Sequence, residues 1–123
     1  MPKVLPSSYK ILIISISSPL LIGVYREGQL VEKIETEEKT SEILLRKLTE
    51  LSLKYNYSKV IYTNGPGSYM AIKLTYITLR SLEILKGIRF SGCNAFDLNV
   101  LNYFYLFKYY LNYFISTIII FVS

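Results

Sequence analysis

One short stretch constrains this chain more than any other: Ile11-Leu12-Ile13-Ile14-Ser15-Ile16, an apolar run broken only by a serine. Successive side chains of a strand point to opposite faces, so a run that does not alternate places apolar groups on both. Such a strand suits a sheet that is covered on both faces. The run is too short and too β-branched to be the centre of an export signal, and no small-residue cleavage site follows it. The expectation is a cytoplasmic chain.

The rest of the first 97 residues can be read outward from that strand. Ser17-Ser18-Pro19 punctuates it, and residues 20–25 make a second strand. The polar, glycine-containing turn Arg26-Glu27-Gly28-Gln29 suits a hairpin into a third strand, residues 30–35, whose charges fit a sheet edge. A helix is expected over residues 40–55, capped by Thr40 or Ser41, with Glu37, Glu38 and Glu42 near its positive end. Leu44, Leu48, Leu51 and Tyr55 recur along it at helical spacing. Asn56-Tyr57-Ser58 breaks the helix, residues 59–63 form a fourth strand, and Asn64-Gly65-Pro66-Gly67 turns the chain. Ser68 is placed to cap a second helix that runs to Lys86 and stops at Gly87, and residues 89–93 form a fifth strand. The order β-β-β-α-β-α-β predicts one α/β domain, a mixed sheet with helices packed on it. It is the order of an actin-like (hexokinase–actin–Hsp70, ribonuclease H-like) domain.

The second helix carries more apolar surface than one sheet can use. Tyr69, Met70, Ile72, Leu74, Tyr76, Ile77, Leu79, Leu82, Ile84 and Leu85 fall on every side, and only Lys73, Arg80 and Glu83 make a charged arc. Two readings account for this. Either the chain's own tail covers the outer face, or another protein does.

Charge and cysteine content remove several function classes. Fourteen basic and nine acidic residues leave a net charge of +5, but the basic residues are scattered and form no RNA-binding signature. There is no histidine, which excludes His-based metal sites and His-activated nucleophiles. The single cysteine, Cys93, allows no internal disulfide and reads as a small residue packed at a strand end.

The loop Asn64-Gly65-Pro66-Gly67-Ser68-Tyr69 joins a strand to a helix. Its glycines permit positive φ and close backbone approach, and the helix N-terminus behind them offers unpaired N–H groups to an anion. It lacks the Gly-Lys-Ser/Thr of a Walker A loop and the spacing of a dinucleotide fingerprint. On pattern alone it is either a structural turn and cap or an anion or partner site, with Gly65, Gly67, Ser68 and Lys73 as the residues of a nucleotide loop.

The run from Tyr62 to Leu74, centred on Gly65-Pro66-Gly67-Ser68-Tyr69, resembles the hallmark of the bacterial TsaB family: GPGS, an aromatic, then threonine, glycine, an aliphatic and arginine. The stretch 11–19 is similar to the family's first strand, I-L-x-I-D-T-S-T-P, and the likeness covers about residues 9–97. Here Ser15 stands in the aspartate position, Met70 and Ala71 replace threonine and glycine, and Lys73 replaces arginine. Serine supplies no magnesium-linked carboxylate, and lysine keeps the charge without the bidentate fork. The resemblance implies a non-catalytic partner of the TsaD transferase in the threonylcarbamoylation of adenosine 37 of tRNA. It implies binding to TsaD through the two helices, with Leu44, Leu48, Met70, Leu74 and Ile77 as the partner-binding residues. It implies no catalytic residues and no metal, no cofactor bound by the chain alone, and ATP with magnesium only within the complex. A TsaE-like ATPase and a homodimer through the same helices are further partner expectations, with tRNA engaged only indirectly. The alternative is a small actin-like nucleotide-binding or phosphotransferase domain that uses the glycine loop.

From residue 98 the composition changes. Of the last 26 residues, 21 are Phe, Leu, Ile, Tyr, Asn or Lys, and Lys108 is the only charge. All six residue types can be encoded by A and T alone, so an out-of-frame reading that truncates the family pattern is one account. A membrane segment is a second, since 26 residues exceed the roughly 20 that span a bilayer, at the cost of Lys108 and three asparagines. An aromatic helix packed on the domain is the third. The division is therefore residues 1–97 as the domain and 98–123 as an atypical tail.

Overall fold

In the computed structural model, which describes residues 9–15, 19–65 and 69–97, the apolar run forms β1 (Tyr9–Ile14) at the centre of a five-stranded sheet. Ile11, Leu12, Ile13 and Ile14 are all buried, as an uninterrupted apolar strand requires. β2 (Leu20–Arg26) pairs antiparallel with β1, and β3 (Gln29–Thr36) pairs antiparallel with β2. On the other side β4 (Tyr57–Thr63) and β5 (Arg89–Cys93) add in parallel, giving the order β3-β2-β1-β4-β5. The charged third strand is an edge, as expected. Glu27 and Gly28 both take positive φ (51° and 79°), which gives the tight hairpin between β2 and β3 a twist that matches its strands.

Two helices, α1 (Thr40–Lys54) and α2 (Tyr69–Lys86), lie on the same face of the sheet. Beneath them Ile11, Ile13, Leu20, Ile22, Val24, Val60 and Tyr62 meet Ile43, Leu44, Leu48, Leu51, Leu79 and Leu82 in one cluster. The order of strands and helices is the expected one. The start of α1 is not: Thr40 is already helical, and Lys39 precedes the helix with an extended backbone and no side-chain cap. The reason lies upstream. The Thr36 hydroxyl accepts the Glu38 N–H at 3.1 Å, so a local turn has already organised the entry. At the other end Tyr57 and Ser58 belong to β4 rather than to the break before it, because Tyr57 buries its ring and donates its hydroxyl to the Leu48 carbonyl at 2.9 Å. Gly87, at φ 71°, closes α2 with its N–H on the Glu83 carbonyl.

The opposite face of the sheet is apolar as well. Leu12, Ile14, Leu21, Tyr25 and Ile61 cluster there with Ala95, which belongs to a single 3-10 turn, Ala95–Asp97. The boundary expected after residue 97, and all three readings of residues 98–123, lie outside the described residues.

Candidate partner surface on the second helix

At about 100° per residue, Thr75, Leu79 and Leu82 fall on one side of α2, and these are its buried residues. Met70, Ile77 and Ile84 recur every seven residues along the opposite side, and they are 63%, 54% and 74% exposed. Leu85 flanks this strip and is also exposed, while Leu74 is half-buried at its border. The helix therefore uses one apolar face for its own core and presents a second.

The charged arc beside that strip is tied down locally. Arg80 donates to Glu83 at 2.7 Å and lies 5.9 Å from the Tyr76 ring centre, and the Lys73 ammonium sits 5.5 Å from that of Tyr69. Tyr76 in turn meets Phe90 of β5 edge to face, at 5.6 Å between centroids. These contacts leave Met70, Ile77 and Ile84 as a strip with aromatic and basic neighbours on one flank.

Of the five partner-facing residues expected from sequence, Met70 and Ile77 are on the open face and Leu74 is at its border. Leu44 and Leu48 are not on it: they are 1% and 0% exposed, spent on the core beneath α1. The correction has a plain cause, since the most regular apolar stripe of a helix is the one its own sheet uses first. The outward apolar residues of α1 are Leu45 and Leu53, which sequence reasoning passed over; Ile84 was counted among the apolar residues of α2 but not among the partner-binding ones. The seven-residue recurrence Met70, Ile77, Ile84 was the signal that could have found the last.

The glycine loop is a bracing point at its described end. Gly65 adopts φ 151°, a conformation that favours glycine, and its carbonyl accepts the Ala95 N–H at 2.8 Å. Asn64 donates its N–H to the Cys93 carbonyl at 2.8 Å, so the loop is stitched to the end of β5. Gly67 and Ser68, the other two loop residues of the nucleotide reading, and the Ser68 cap itself, lie outside the described residues. Lys73 points its charge at the Tyr69 ring on the exposed side of α2. Ser15 is buried and hydrogen-bonded to Thr75 at 2.7 Å. Cys93 is half-buried at the strand end, and burial, followed by the Asp97 carboxylate, pushes its thiol pKa up, away from the reactive thiolate.

Among the described residues no three Cys, Asp or Glu side chains gather closely enough to hold a metal ion. No described helix is long and apolar enough to cross a membrane.

No protein-family model matches the sequence, and no curated protein is significantly similar to it. The fold does have solved counterparts. It is similar to YeaZ from Pseudomonas aeruginosa, with a TM-score of 0.58 at 10% sequence identity, over 75% of this chain and 49% of that one. It is equally similar, at a TM-score of 0.58 and 10% identity, to an uncharacterised protein described as similar to the peptidase YEAZ from Pseudomonas aeruginosa, over 75% of this chain and 48% of that one. The chain thus spans about half the length of the solved structures it matches. At this identity the likeness is one of fold: a mixed five-stranded sheet with two helices on one face, of the YeaZ kind.

Proposed function

We propose that this chain is a TsaB-like, actin-like domain that binds a TsaD-like transferase and supports threonylcarbamoylation of tRNA without catalysing it. The observation that carries the reading is the second apolar face of α2, where Met70, Ile77 and Ile84 are exposed in a line. A helix that has already satisfied its own sheet gains nothing from such a strip unless another surface covers it. The fold likeness to YeaZ, a TsaB protein, supports the choice of partner. The Gly65–Ser68 resemblance supports it from the sequence side.

The chemistry of the described residues agrees with a binding role. The hydroxyl standing in the family's aspartate position is committed to Thr75, and the one thiol is held away from its ionised form. Any ATP and magnesium would then be shared with the partner at a joint interface, and tRNA would be met through the complex.

The test is co-purification of the full chain with a TsaD-like transferase. Met70→Glu and Ile77→Glu variants are expected to keep the melting temperature of the parent and to lose the partner. Retention of the partner by both folded variants would refute the proposal. Magnesium-ATP binding by the isolated chain in calorimetry would favour a phosphotransferase domain instead.

A further inference from the structure

Lys10, Lys59 and Arg89 stand far apart in the sequence, and the sheet puts them side by side. Lys10 of β1 is the register partner of Lys59 of β4, and Lys59 is that of Arg89 of β5. Side chains alternate along a strand, so residues two or four apart share a face. Leu12, Ile61 and Cys93 are so spaced from the three cations and belong to the second cluster, which puts the row on the face away from the helices. All three are exposed, and no described carboxylate forms an ion pair with any of them. With strands about 4.8 Å apart the row is about 10 Å long, within about one Debye length at 0.1 M salt. Like charges placed directly opposite destabilise a sheet, and a bound anion offsets that cost.

The surroundings add to this charge. The row lies where β1, β4 and β5 begin, which is the end at which α1 and α2 stop. On the helix side of the same rim Asn56, Tyr57, Lys86 and Ile88 help to line a recess of about 480 Å³, and Lys86 is likewise without an ion pair among the described residues. Two carboxylates of this end are engaged, Glu32 by Lys54 and Tyr55 and Glu83 by Arg80. Glu27 is in the β2–β3 hairpin, past the Lys10 end of the row. Exposed Asn56, Ser58 and Ser91 offer amide and hydroxyl groups beside the cations. Cations interleaved with neutral hydrogen-bonding groups are what a nucleic-acid backbone meets on its partners. No exposed large apolar side chain on β1, β4 or β5 supplies the anchor by which a protein is usually held.

We propose that Lys10, Lys59 and Arg89 hold the phosphate backbone of an RNA, so that this chain touches the RNA substrate directly and not only through its partner. The choice of RNA rests on the role in tRNA modification proposed above; the presence of an anion row does not. The open strip of α2 ends at the same place, since Ile84 and Leu85 lead into Lys86 on the rim of the recess. A partner seated on the strip stops where the cations begin, and one RNA reaches both. Contacts of this kind position an RNA without reading its sequence.

Fluorescence anisotropy of the full chain with a labelled tRNA transcript, over a range of salt, tests it. Lys10→Gln, Lys59→Gln and Arg89→Gln together are expected to weaken binding by about tenfold or more and to lower the slope of log K against log salt by about 2–3, at about 0.7–0.9 per lost phosphate contact. The same change at Lys33, Lys39 and Lys47, which removes equal charge from β3 and α1, should leave most of the affinity. Equal losses in the two triple variants would mean attraction by net charge alone and overturn the proposal. Undiminished binding by the folded row variant, or none by the parent chain, would overturn it as well. Tighter binding of a polyglutamate of matched charge than of the transcript would give the row to an acidic protein and refute the RNA. The row variant should melt no lower than the parent, because like charges have been removed. Should it fail to fold, Lys59→Gln alone, at the centre of the row, gives the decision through a slope change of about 0.7–0.9. Co-purification keeps the two readings apart, since the row variant should retain the TsaD-like transferase. Loss of RNA at the row in a chain that never binds the transferase would uphold the row and refute the proposed function alone.

Discussion

Ser15 at the end of β1 and Thr75 in the middle of α2 join their hydroxyls across 2.7 Å in a site closed to solvent. Thr75 has one hydroxyl proton and gives it to the Ala71 carbonyl at 2.8 Å, so Ser15 is the donor in the pair. Thr75→Val keeps the shape and leaves the Ser15 hydroxyl without this acceptor. That change is expected to cost about 1–3 kcal/mol of stability in denaturant unfolding. Adding Ser15→Ala should restore part of the loss, because no stranded donor is then left. Purely additive costs in the double-mutant cycle would show that the pair contributes nothing of its own.

Gly92 is a position where packing demands the absence of a side chain. A Cβ there would stand 2.9 Å from the Asn64 amide nitrogen and 3.1 Å from the Tyr62 ring. Gly92→Ala is expected to destabilise by about 1–3 kcal/mol, the usual range for overpacking. Asn64→Ala should relieve only some of this, since the ring is held against Phe90 at 6.1 Å between centroids. Thermal melts of the two single variants and the double decide the matter, and a Gly92→Ala chain as stable as the parent contradicts the packing.

Stability should fall at both ends of the pH scale, for different reasons. Glu32 on β3 accepts from Lys54 at 2.8 Å and from the Tyr55 hydroxyl at 2.6 Å, and these bonds hold its carboxyl below the ordinary value of 4.5. A group with a lowered folded pKa contributes stability that is full above its unfolded pKa and lost as pH falls through the folded one. Glu32→Gln should therefore flatten the acid limb of a stability–pH profile. Tyr57 behaves oppositely: burial pushes its phenol up to about 12 from 10.0. Its contribution is present below 10.0 and is lost as pH rises toward about 12. A Tyr57→Phe chain should show a shallower alkaline limb.

The two apolar faces of the helices should respond differently to mutation. Leu48→Ala removes a fully buried side chain and is expected to cost about 2–5 kcal/mol. Ile84→Ser acts on an exposed residue and should change stability by no more than about 0.5 kcal/mol. Chemical denaturation of both variants checks the assignment of faces, and a large loss for Ile84→Ser would mean that this face is already covered within the chain.

The element order and the burial of β1 on both faces were legible in the residues, because hydrophobic period and glycine turns act over a few neighbours; that β1 lies at the centre of the sheet was not. The charged edge strand β3 was equally plain, as was the surplus of apolar surface on α2. Local pattern did not decide what each apolar stripe packs against. Leu44 and Leu48 looked as available as Met70 and Ile77 until the sheet claimed the first pair. Nor could sequence pair Ser15 with Thr75, sixty residues away, or show that Gly92 must stay bare beneath Asn64 and Tyr62. A periodicity reports that a face is apolar; only the tertiary structure decides which faces meet, because burial is a contest among all the surfaces the chain brings together.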